Sequence, residues 1–380
     1  MNIKEVAEVR RHIRRDRSNM TAIYGCYVND NKEIVSEFRS STGMMSENEG
    51  DKYFGLLRKT LSGTIGKHLI DISFKTAQVM DGAEHKLLME LRQSDLADEE
   101  KRMVFYQKVI ESVSLEQGYL ILLGSDTYDV PFKRDSSGED SNESFKFLLC
   151  AICPVKLTKA TLHYVPEEKL FHDGGITNVV GNPELGFLFP AFDNRVTNIY
   201  NALYYTRSVK ESHEAFVENI FHTPIPKPAY AQKKSFEAIL SNALAEECSM
   251  DVVQTVHEQL AQRIELHKES KVADPLLISK EDVRDVLTGC GISDAHMAKF
   301  SVDYDEAFGF EADVHPKNII DEKRFEIKTP DVSIKVAPDR TDLIQTRVIG
   351  GVKYILINAE EDVEVNGVSI HIQDGEALTV

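Results

Sequence analysis

Apolar residues in the first part of the chain recur with strand spacing and helix spacing in turn. Two β-rich runs flank Asn29-Asp30-Asn31, residues that tolerate the left-handed backbone of a tight turn, so this stretch predicts a hairpin. Helical spacing over residues 47–62 is followed by a strand-like run at 67–74 and by helical patterns at 84–93 and 98–113. This order of elements predicts an α+β fold.

Two long apolar runs follow, and both predict strands of one sheet. They cover residues 118–131 and 145–158, and the polar segment at 133–144 between them predicts an exposed hairpin loop. A third run, at 161–171, predicts a strand that extends the same meander. The first domain, residues 1–221, is therefore expected to be a mostly antiparallel sheet with helices on one face.

The pattern changes after residue 221. Three alternate prolines between residues 224 and 228 force an extended chain and predict a domain boundary. Amphipathic helices follow, one of them opened by a capping box of Ser279 and Asp282 and closed by Gly289. Residues 222–300 are thus predicted to form a small helical region.

The remaining residues, 301–380, are β-rich. Apolar residues alternate with polar ones at 332–336, and the run "VKYILIN" at 352–358 is typical of a buried strand. The segment "VEVNGVSIHI" at 363–372 predicts a hairpin that turns at Asn366-Gly367. These patterns predict a C-terminal β-rich unit.

Composition narrows the classes of function. The 380 residues are 42% apolar and 28% charged, as in ordinary globular proteins. No run of about 18 apolar residues is present, and the cysteines are few, so a cytoplasmic location without membrane contact is expected. The net charge of −18 argues against a general nucleic-acid coat, but residues 1–70 carry 12 Lys and Arg against 9 Asp and Glu. The N-terminal region is therefore the part of this acidic protein expected to face an anion.

Helical spacing of apolar residues from Ile3 to Ile13 predicts a short N-terminal helix. Its other face is predicted to carry Arg10, Arg11, Arg14, Arg15 and Arg17. Guanidinium groups suit bidentate contact with phosphate, so these arginines are candidates for binding an RNA or protein partner. Glu5, Glu8 and Asp16 dilute the charge, and docking on the acidic body of the same protein, or solubility alone, is the alternative interpretation.

Residues 181–207 combine six aromatic side chains with several polar ones. Asp193 or Asn194 is expected to cap a helix over residues 195–205 that packs against the preceding strand. Adjacent tyrosines on such a helix splay about 100° apart, so one of them is expected to remain accessible. The candidates for a ligand-stacking surface are Arg195, Tyr204, Tyr205 and Arg207. The alternative is a core with a polar cap.

The charged stretch at 321–331 resembles a catalytic pattern. Glu326 and Lys328, with Asp321 or Asp313 as a further acid, correspond to the carboxylates and lysine of metal-dependent nucleases. In those enzymes the first acid usually lies further upstream, and alternating charge on an exposed strand is the simpler interpretation.

Other motifs for metals, cofactors or catalysis are incomplete. Cys150 and Cys153 lie three apart in an apolar run, where they should point to opposite faces of a strand, and no second Cys or His pair has matching spacing. No phosphate-binding glycine loop or nucleophile elbow is present. Ser125 and Asp126 would be catalytic only if a base approached them in space. Neither a metal nor a cofactor is predicted.

Several blocks taken together resemble one known family. They are "IKEVAEVRRHIRRD", "IYGCYVND", "RKTLSGTIGKHL", "YLILLGSDTYDVP", "FLLCAICPVKLT", "GFLFPAFDNRVTNIYNALYYT" and, towards the C-terminus, "FEIKTPDVSIKV", "TRVIGGVKYILI" and "VEVNGV". The chain resembles, nearly end to end, an uncharacterised family of Gram-positive, largely anaerobic bacteria, the 4317 family of domains of unknown function. The resemblance implies a bacterial cytoplasmic setting and brings no activity, cofactor or partner.

Three hypotheses of function are left. The first is a non-catalytic cytoplasmic protein, RNA-associated or otherwise regulatory, that binds a partner or ligand. The second is a metal-dependent phosphodiesterase or nuclease that uses Asp321, Glu326 and Lys328. The third is a structural protein that forms homo-oligomers through edge strands of its C-terminal β unit. The absence of any complete catalytic motif favours the first hypothesis over an enzyme.

Overall fold

The structure is a computed structural model of the chain. It describes residues 1–131, 144–209, 211, 213–270, 272, 274–310, 312–322, 324–359, 363–365 and 367–370. Most of the predicted loop at 133–144, and Asn366 of the predicted turn, lie outside the described residues. The chain divides into two compact units, Met1–Pro228 with Ala273–Pro275, and Ala229–Val272 with Leu276–Val380. The division into 1–221, 222–300 and 301–380 stays a prediction.

The described residues of the first unit form helices α1 to α6 and strands β1 to β12. They are α1 Ile3–His12, β1 Ala22–Val28, β2 Ile34–Ser41, α2 Glu47–Lys59, β3 Leu69–Ser73, α3 Thr76–Asp81, α4 Ala83–Gln93, α5 Glu99–Ser112, β4 Tyr119–Asp129, β5 Ser144–Leu157, β6 Leu162–Val165, β7 Leu170–Asp173, β8 Asn178–Val180, β9 Leu185–Phe189, β10 Ala191–Asp193, β11 Val196–Asn198, β12 Asn201–Thr206 and α6 Glu214–Phe221.

One antiparallel sheet organises this unit. Its strands lie in the order β2-β1-β4-β5-β9-β12-β3, and β8 pairs with the end of β5. The predicted hairpin around Asn29 is the pair β1–β2, and the two long apolar runs are the antiparallel neighbours β4 and β5. The α+β fold class is confirmed.

Helices cover both faces of the sheet, which corrects the expectation of helices on one face. Residues of α4, α5 and α6 share one core with one side of the strands, and residues of α1 and α2 share a second core with the other side. Cys150 belongs to the first core and Cys153 to the second, as expected for strand residues three apart. Because both faces are buried, the central strands read as continuous apolar runs rather than alternating ones.

Two predictions for this unit are wrong. The run at 161–171 does not extend the sheet, because β6 pairs with β7 in a separate two-stranded ribbon. Residues 195–205 are not a helix but contain β11 and most of β12. Asn194 and Arg195 have φ values of 51° and 65° and form the two-residue turn of the β10–β11 hairpin, where both central positions require positive φ.

The described residues of the second unit form helices α7 to α11 and strands β13 to β18, with short 3-10 turns at Ala245–Glu247 and Pro338–Leu343. They are α7 Ala229–Leu244, α8 Met250–Ser270, α9 Lys280–Gly289, α10 Asp294–Phe308, α11 Pro316–Ile319, β13 Phe325–Lys328, β14 Ser333–Val336, β15 Ile344–Ile349, β16 Val352–Ile357, β17 Val363–Val365 and β18 Val368–Ile370.

The helices of the second unit pack around their own core, and α9 shows how the sequence sets their limits. The Ser279 hydroxyl accepts the Asp282 N–H (3.1 Å) and the Asp282 carboxylate accepts the Ser279 N–H (2.8 Å), which confirms the capping box. Gly289 is the last helical residue, but the left-handed position after the helix is Gly291, with φ of 79°.

The strands of the second unit form three hairpins, β13–β14, β15–β16 and β17–β18. The prediction that "VKYILIN" is a buried strand is wrong. Tyr354, Leu356 and Ile357 of β16 are 43, 37 and 58% exposed, and of the described residues in β15 and β16 only Ile344 is buried. Burial requires a covering layer, and a two-stranded hairpin does not provide one.

Candidate functional site

Helix α1 is fixed at its start by local capping. The Asn2 side chain accepts the N–H groups of Lys4 (2.9 Å) and Glu5 (3.1 Å), and the Glu5 carboxylate accepts the Asn2 N–H (2.7 Å). This reciprocal pattern satisfies N–H groups that the first turn of a helix leaves free. The inner side of the segment packs into the second core through Val6, Val9 and Ile13.

The buried amino group of Met1 lies beside the same helix. It is 3.0 Å from the Asp71 carboxylate and 2.7 Å from that of Asp193. Burial alone would lower the pKa of this amine, but the two carboxylates outweigh burial and raise it to about 11. The amine is therefore charged at neutral pH and ties the start of the helix to β3 and β10.

Both glutamates of α1 face the body of the protein. Glu5 is 6% exposed, and its carboxylate accepts the Asn194 N–H at 2.8 Å. Burial raises the pKa of Glu5. Glu8 accepts the Tyr128 hydroxyl at 2.8 Å and pairs with the Arg195 guanidinium at 2.6 Å. These two charges are therefore engaged on the inner side and do not dilute the outer side of the helix.

The five N-terminal arginines are all exposed. Helix α1 ends at His12, so Arg10 and Arg11 lie on the helix, whereas Arg14, Arg15 and Arg17 follow in a turn after it. This corrects the expectation of one helical face that carries all five. The five side chains are called the arginine surface below.

Ion pairs neutralise only part of the arginine surface. Arg15 pairs with Glu47 at 3.1 Å, and Arg17 lies 3.7 Å from its neighbour Asp16. Within the part of the chain that the structure describes, the guanidinium groups of Arg10, Arg11 and Arg14 have no carboxylate partner. As far as the described residues go, three of the five cations are therefore available to an external anion.

A buried carboxylate anchors the turn that carries the last arginines. Asp126 is 2% exposed and accepts the Ser18 hydroxyl at 2.6 Å and the Asn19 N–H at 2.9 Å. His12 Nε2 lies 3.2 Å from the same carboxylate, close enough for an ion pair but without the geometry of a hydrogen bond. The carboxylate therefore fixes the positions of Arg14, Arg15 and Arg17 on the surface.

The same contacts answer whether Ser125 and Asp126 form a catalytic pair. The Ser125 hydroxyl donates to Asp95 at 3.0 Å, so it does not contact the nearby histidine. His12 and Ser18 both approach Asp126, so the carboxylate lies between the imidazole and the Ser18 hydroxyl. The imidazole does not lie between the carboxylate and a hydroxyl. A nucleophile relay needs the base next to the hydroxyl, and this arrangement does not supply it.

The aromatic candidates lie in the core. Tyr204 and Tyr205 are 0 and 7% exposed, and as neighbours on β12 they point into opposite cores. Burial raises the pKa of both hydroxyls. Arg207 pairs with Glu184 at 3.3 Å, and Arg195 is engaged by Glu8. The interpretation as a stacking surface fails for the tyrosines, because neither ring is accessible.

The nuclease candidates are not assembled into a metal site. Lys328 Nζ lies 2.8 Å from the Glu326 carboxylate, and the hydrogen bond with Lys328 lowers the pKa of Glu326. The main-chain carbonyl of Asp321 contacts His257 at 2.9 Å. Among the described residues, Asp313 included, no group of three or more His, Cys, Asp or Glu side chains is placed to hold a metal ion.

Sequence reasoning missed the residues that orient the arginine surface. The pattern Asn2-x-x-Glu5 is a local signal for a capping box and would have placed Glu5 on the inner side. No local signal exists for Glu8 and Asp126, since their partners are 107 to 187 residues away in sequence.

Fold and surface together define a class: an α+β protein whose antiparallel sheet is covered by helices on both faces and whose first helix exposes arginines. The family model described as domain of unknown function (DUF4317) matches residues 1–368. The chain belongs to this family, so the resemblance is confirmed. No curated protein and no solved structure matches the chain. None of the described helices is both long enough and apolar enough to cross a membrane.

Proposed function

We propose that this is a non-catalytic cytoplasmic protein that binds an RNA partner through the arginine surface. The observation that carries the proposal is the division of charge on α1. Glu5 and Glu8 are engaged on the inner side, and among the described residues Arg10, Arg11 and Arg14 have no carboxylate partner on the outer side. A segment with mixed charge in sequence thus presents a basic outer surface.

Phosphate is the group that this surface suits best. Guanidinium forks bind phosphate oxygens bidentately and remain charged at all physiological pH values. Contacts of this kind position a nucleic acid without reading its bases. Binding is therefore expected to be independent of sequence and sensitive to salt, as counterion release requires.

The rest of the protein limits the strength of this binding. The net charge of the chain is −18, so an RNA strand is repelled wherever it leaves the arginine surface. Three cations without a carboxylate partner among the described residues correspond to a salt slope of about −2 for a single strand. We expect moderate affinity and a short contact rather than a long binding channel.

The test compares two sets of arginines on the same surface. Replacement of Arg10, Arg11 and Arg14 by Gln is expected to weaken binding of a labelled single-stranded RNA of mixed sequence roughly tenfold to a hundredfold, and to remove most of its salt dependence. Fluorescence anisotropy over a salt series gives both quantities.

The matched control replaces Arg15 and Arg17 by Gln. These residues are also exposed but already paired with carboxylates, so a clearly smaller loss is expected. An acidic peptide serves as a second ligand. The proposal fails if the triple variant binds RNA as the unmodified protein does, or if the peptide binds as tightly as the RNA.

A further inference from the structure

A two-stranded β arm leaves the sheet of the first unit. The end of β5 pairs with β8, and β6 pairs with β7, so residues 155–165 and 170–180 form one antiparallel ribbon. Between the two ladders, the Thr158 N–H donates to the Thr177 carbonyl at 2.8 Å. We call this ribbon, with its turn at 166–169, the β arm.

The β arm exposes large apolar side chains. Six of them are more than half exposed: Leu157 71%, Leu162 70%, Tyr164 52%, Leu170 58%, Phe171 64% and Ile176 65%. In the sheet strands β9 and β12, the leucine, phenylalanine and tyrosine side chains are almost completely buried. The β arm is therefore an apolar segment that the described part of its own chain does not cover.

One face of the β arm is aromatic. Tyr164 and Phe171 are cross-strand partners with ring centroids 5.2 Å apart, and Leu162 lies on the same face two residues from Tyr164. Leu170 pairs with Val165 on the opposite face. The face formed by Leu162, Tyr164 and Phe171 is the larger continuous apolar surface near the turn.

The aromatic face supplies part of one side of a protein interface. Leu162, Tyr164 and Phe171 are each more than half exposed, and large side chains have about 150–250 Å² of accessible surface each, so these three offer roughly 300 Å². A standard interface takes about 800 Å² from each partner, so the strand backbone and the charged residues at the base and turn must supply the remainder. A two-stranded ribbon is also marginally stable alone in water, so a covering partner would stabilise it.

The charges of the β arm complement a second copy of the same arm. Its base carries Lys156 and Lys159, and its turn carries Glu167, Glu168 and Lys169, a net charge of −1. If two arms lie antiparallel across a two-fold axis, the turn of one meets the base of the other, and each net negative turn faces two lysines. The segment as a whole holds three lysines and three acidic residues, so it adds no formal net charge to a contact between two copies of this acidic chain.

We propose that two copies of this chain pair through their β arms, face to face and antiparallel, with Leu162, Tyr164 and Phe171 of each arm packed on the same face of the other. The pairing is isologous, as a closed dimer requires. It uses neither the arginine surface nor the C-terminal hairpins, so it is independent of RNA binding.

The first experiment measures the mass of the full chain by light scattering and its dissociation constant by analytical ultracentrifugation. A dimer is expected at micromolar concentration. The double change Tyr164→Ser with Phe171→Ser should raise the dissociation constant on the order of a hundredfold. Leu170→Ser, on the opposite face of the same hairpin, is the matched control and should change it much less. A monomeric unmodified protein, or a double variant that remains dimeric, overturns the proposal.

A second experiment tests the antiparallel arrangement without removing any apolar residue. One variant carries Lys156→Glu and Lys159→Glu, and another carries Glu167→Lys and Glu168→Lys. In a dimer of either variant alone, like charges face each other in both contacts. Each variant should therefore self-associate about tenfold more weakly. An equimolar mixture should recover the original affinity, because both contacts then unite opposite charges. Failure of the mixture to recover affinity contradicts the arrangement.

The exposed arm could instead enter a lipid surface, and the same variants separate the two cases. Vesicles of phosphatidylcholine and phosphatidylglycerol are mixed with the full chain and sedimented. The proposal expects the protein to remain in the supernatant as a dimer. The opposite result is that the protein sediments with the vesicles as a monomer and that the Tyr164→Ser, Phe171→Ser variant does not. This result would assign the β arm to membranes and overturn the dimer proposal.

Discussion

Strands β5 and β16 read alike in sequence and differ in their surroundings. "FLLCAIC" in β5 and "VKYILIN" around β16 are both apolar runs bounded by polar residues. Leu149 in β5 is 0% exposed between β4 and β9, with a helix layer on each face of the sheet. Leu356 in β16 is 37% exposed in a two-stranded hairpin. An apolar run thus predicts a strand, but the number of neighbouring strands and layers decides whether that strand is buried.

The largest expected difference comes from one substitution made in both strands. Leu149→Ala should lower the free energy of unfolding of the first unit by about 2–5 kcal/mol, because it leaves a cavity in a closed core. Leu356→Ala should cost less than about 1 kcal/mol, since water already reaches the side chain. Urea unfolding followed by circular dichroism measures both. Equal losses in the two variants would contradict the contrast between the strands.

Glycines give the second comparison. A Cβ at Gly186 in β9 would lie 2.2 Å from the Cys150 carbonyl oxygen, so Gly186→Ala must move one strand of the sheet and should cost about 1–3 kcal/mol. Gly350, in the turn of β15–β16, has φ of 58° and open space around it, so Gly350→Ala should cost about 1 kcal/mol through backbone strain alone.

Hydrogen exchange followed by mass spectrometry should locate the two glycine effects. Gly186→Ala should raise exchange across β5, β9 and β12, which share the sheet. Gly350→Ala should raise exchange only in its own hairpin. Spread of the Gly350→Ala effect into the sheet would contradict the local effect expected for this two-stranded hairpin.

Local patterns were sufficient for elements whose partners are close in sequence. The hairpin β1–β2, the helices α2, α4 and α5 and the capping box of α9 all follow from spacing and turn residues within one segment. The class of the fold follows from the order of these elements. The second helix layer could not be predicted, because the sequence does not state which side of a sheet a helix covers.

The segment at 195–205 shows where local patterns mislead. Val196, Ile199 and Leu203 have spacing that is compatible with a helix, and Asp193 resembles its cap. The structure instead places β12 between β9 and β3, and β3 lies about 130 residues earlier in the chain. Its tyrosines and threonine favour a strand once both neighbours are present, so the tertiary partners outweigh the helical spacing.

The candidate site also has one part that the sequence predicts and another that depends on distant partners. The exposure of the five arginines follows from their type and density, and it was predicted. The inward orientation of Glu8 depends on Tyr128 and Arg195, which the fold brings from 120 and 187 residues away. Sequence reasoning therefore found the cations but not the reason why they form a net positive surface.

The smallest expected effect concerns pH and again separates the buried sheet from the exposed hairpins. His85 is 3% exposed, lies edge-on to Phe74 and Phe189, and contacts the Ile199 carbonyl at 2.8 Å. Burial lowers the pKa of His85 from its ordinary 6.5, although the hydrogen bond with Ile199 opposes the shift.

Since the folded pKa of His85 lies below the unfolded one, its neutral form contributes stability above pH 6.5, and this contribution is lost as pH falls. Urea unfolding of the first unit between neutral pH and about pH 5 should show the loss, and His85→Gln should reduce that pH dependence. His163→Gln, in the exposed β arm, is the control and should leave it unchanged. The hairpin β15–β16 contains no histidine, so its hydrogen exchange, corrected for the intrinsic rate, should not follow this transition. Equal effects of His85→Gln and His163→Gln would mean that burial of His85 does not set the acid response.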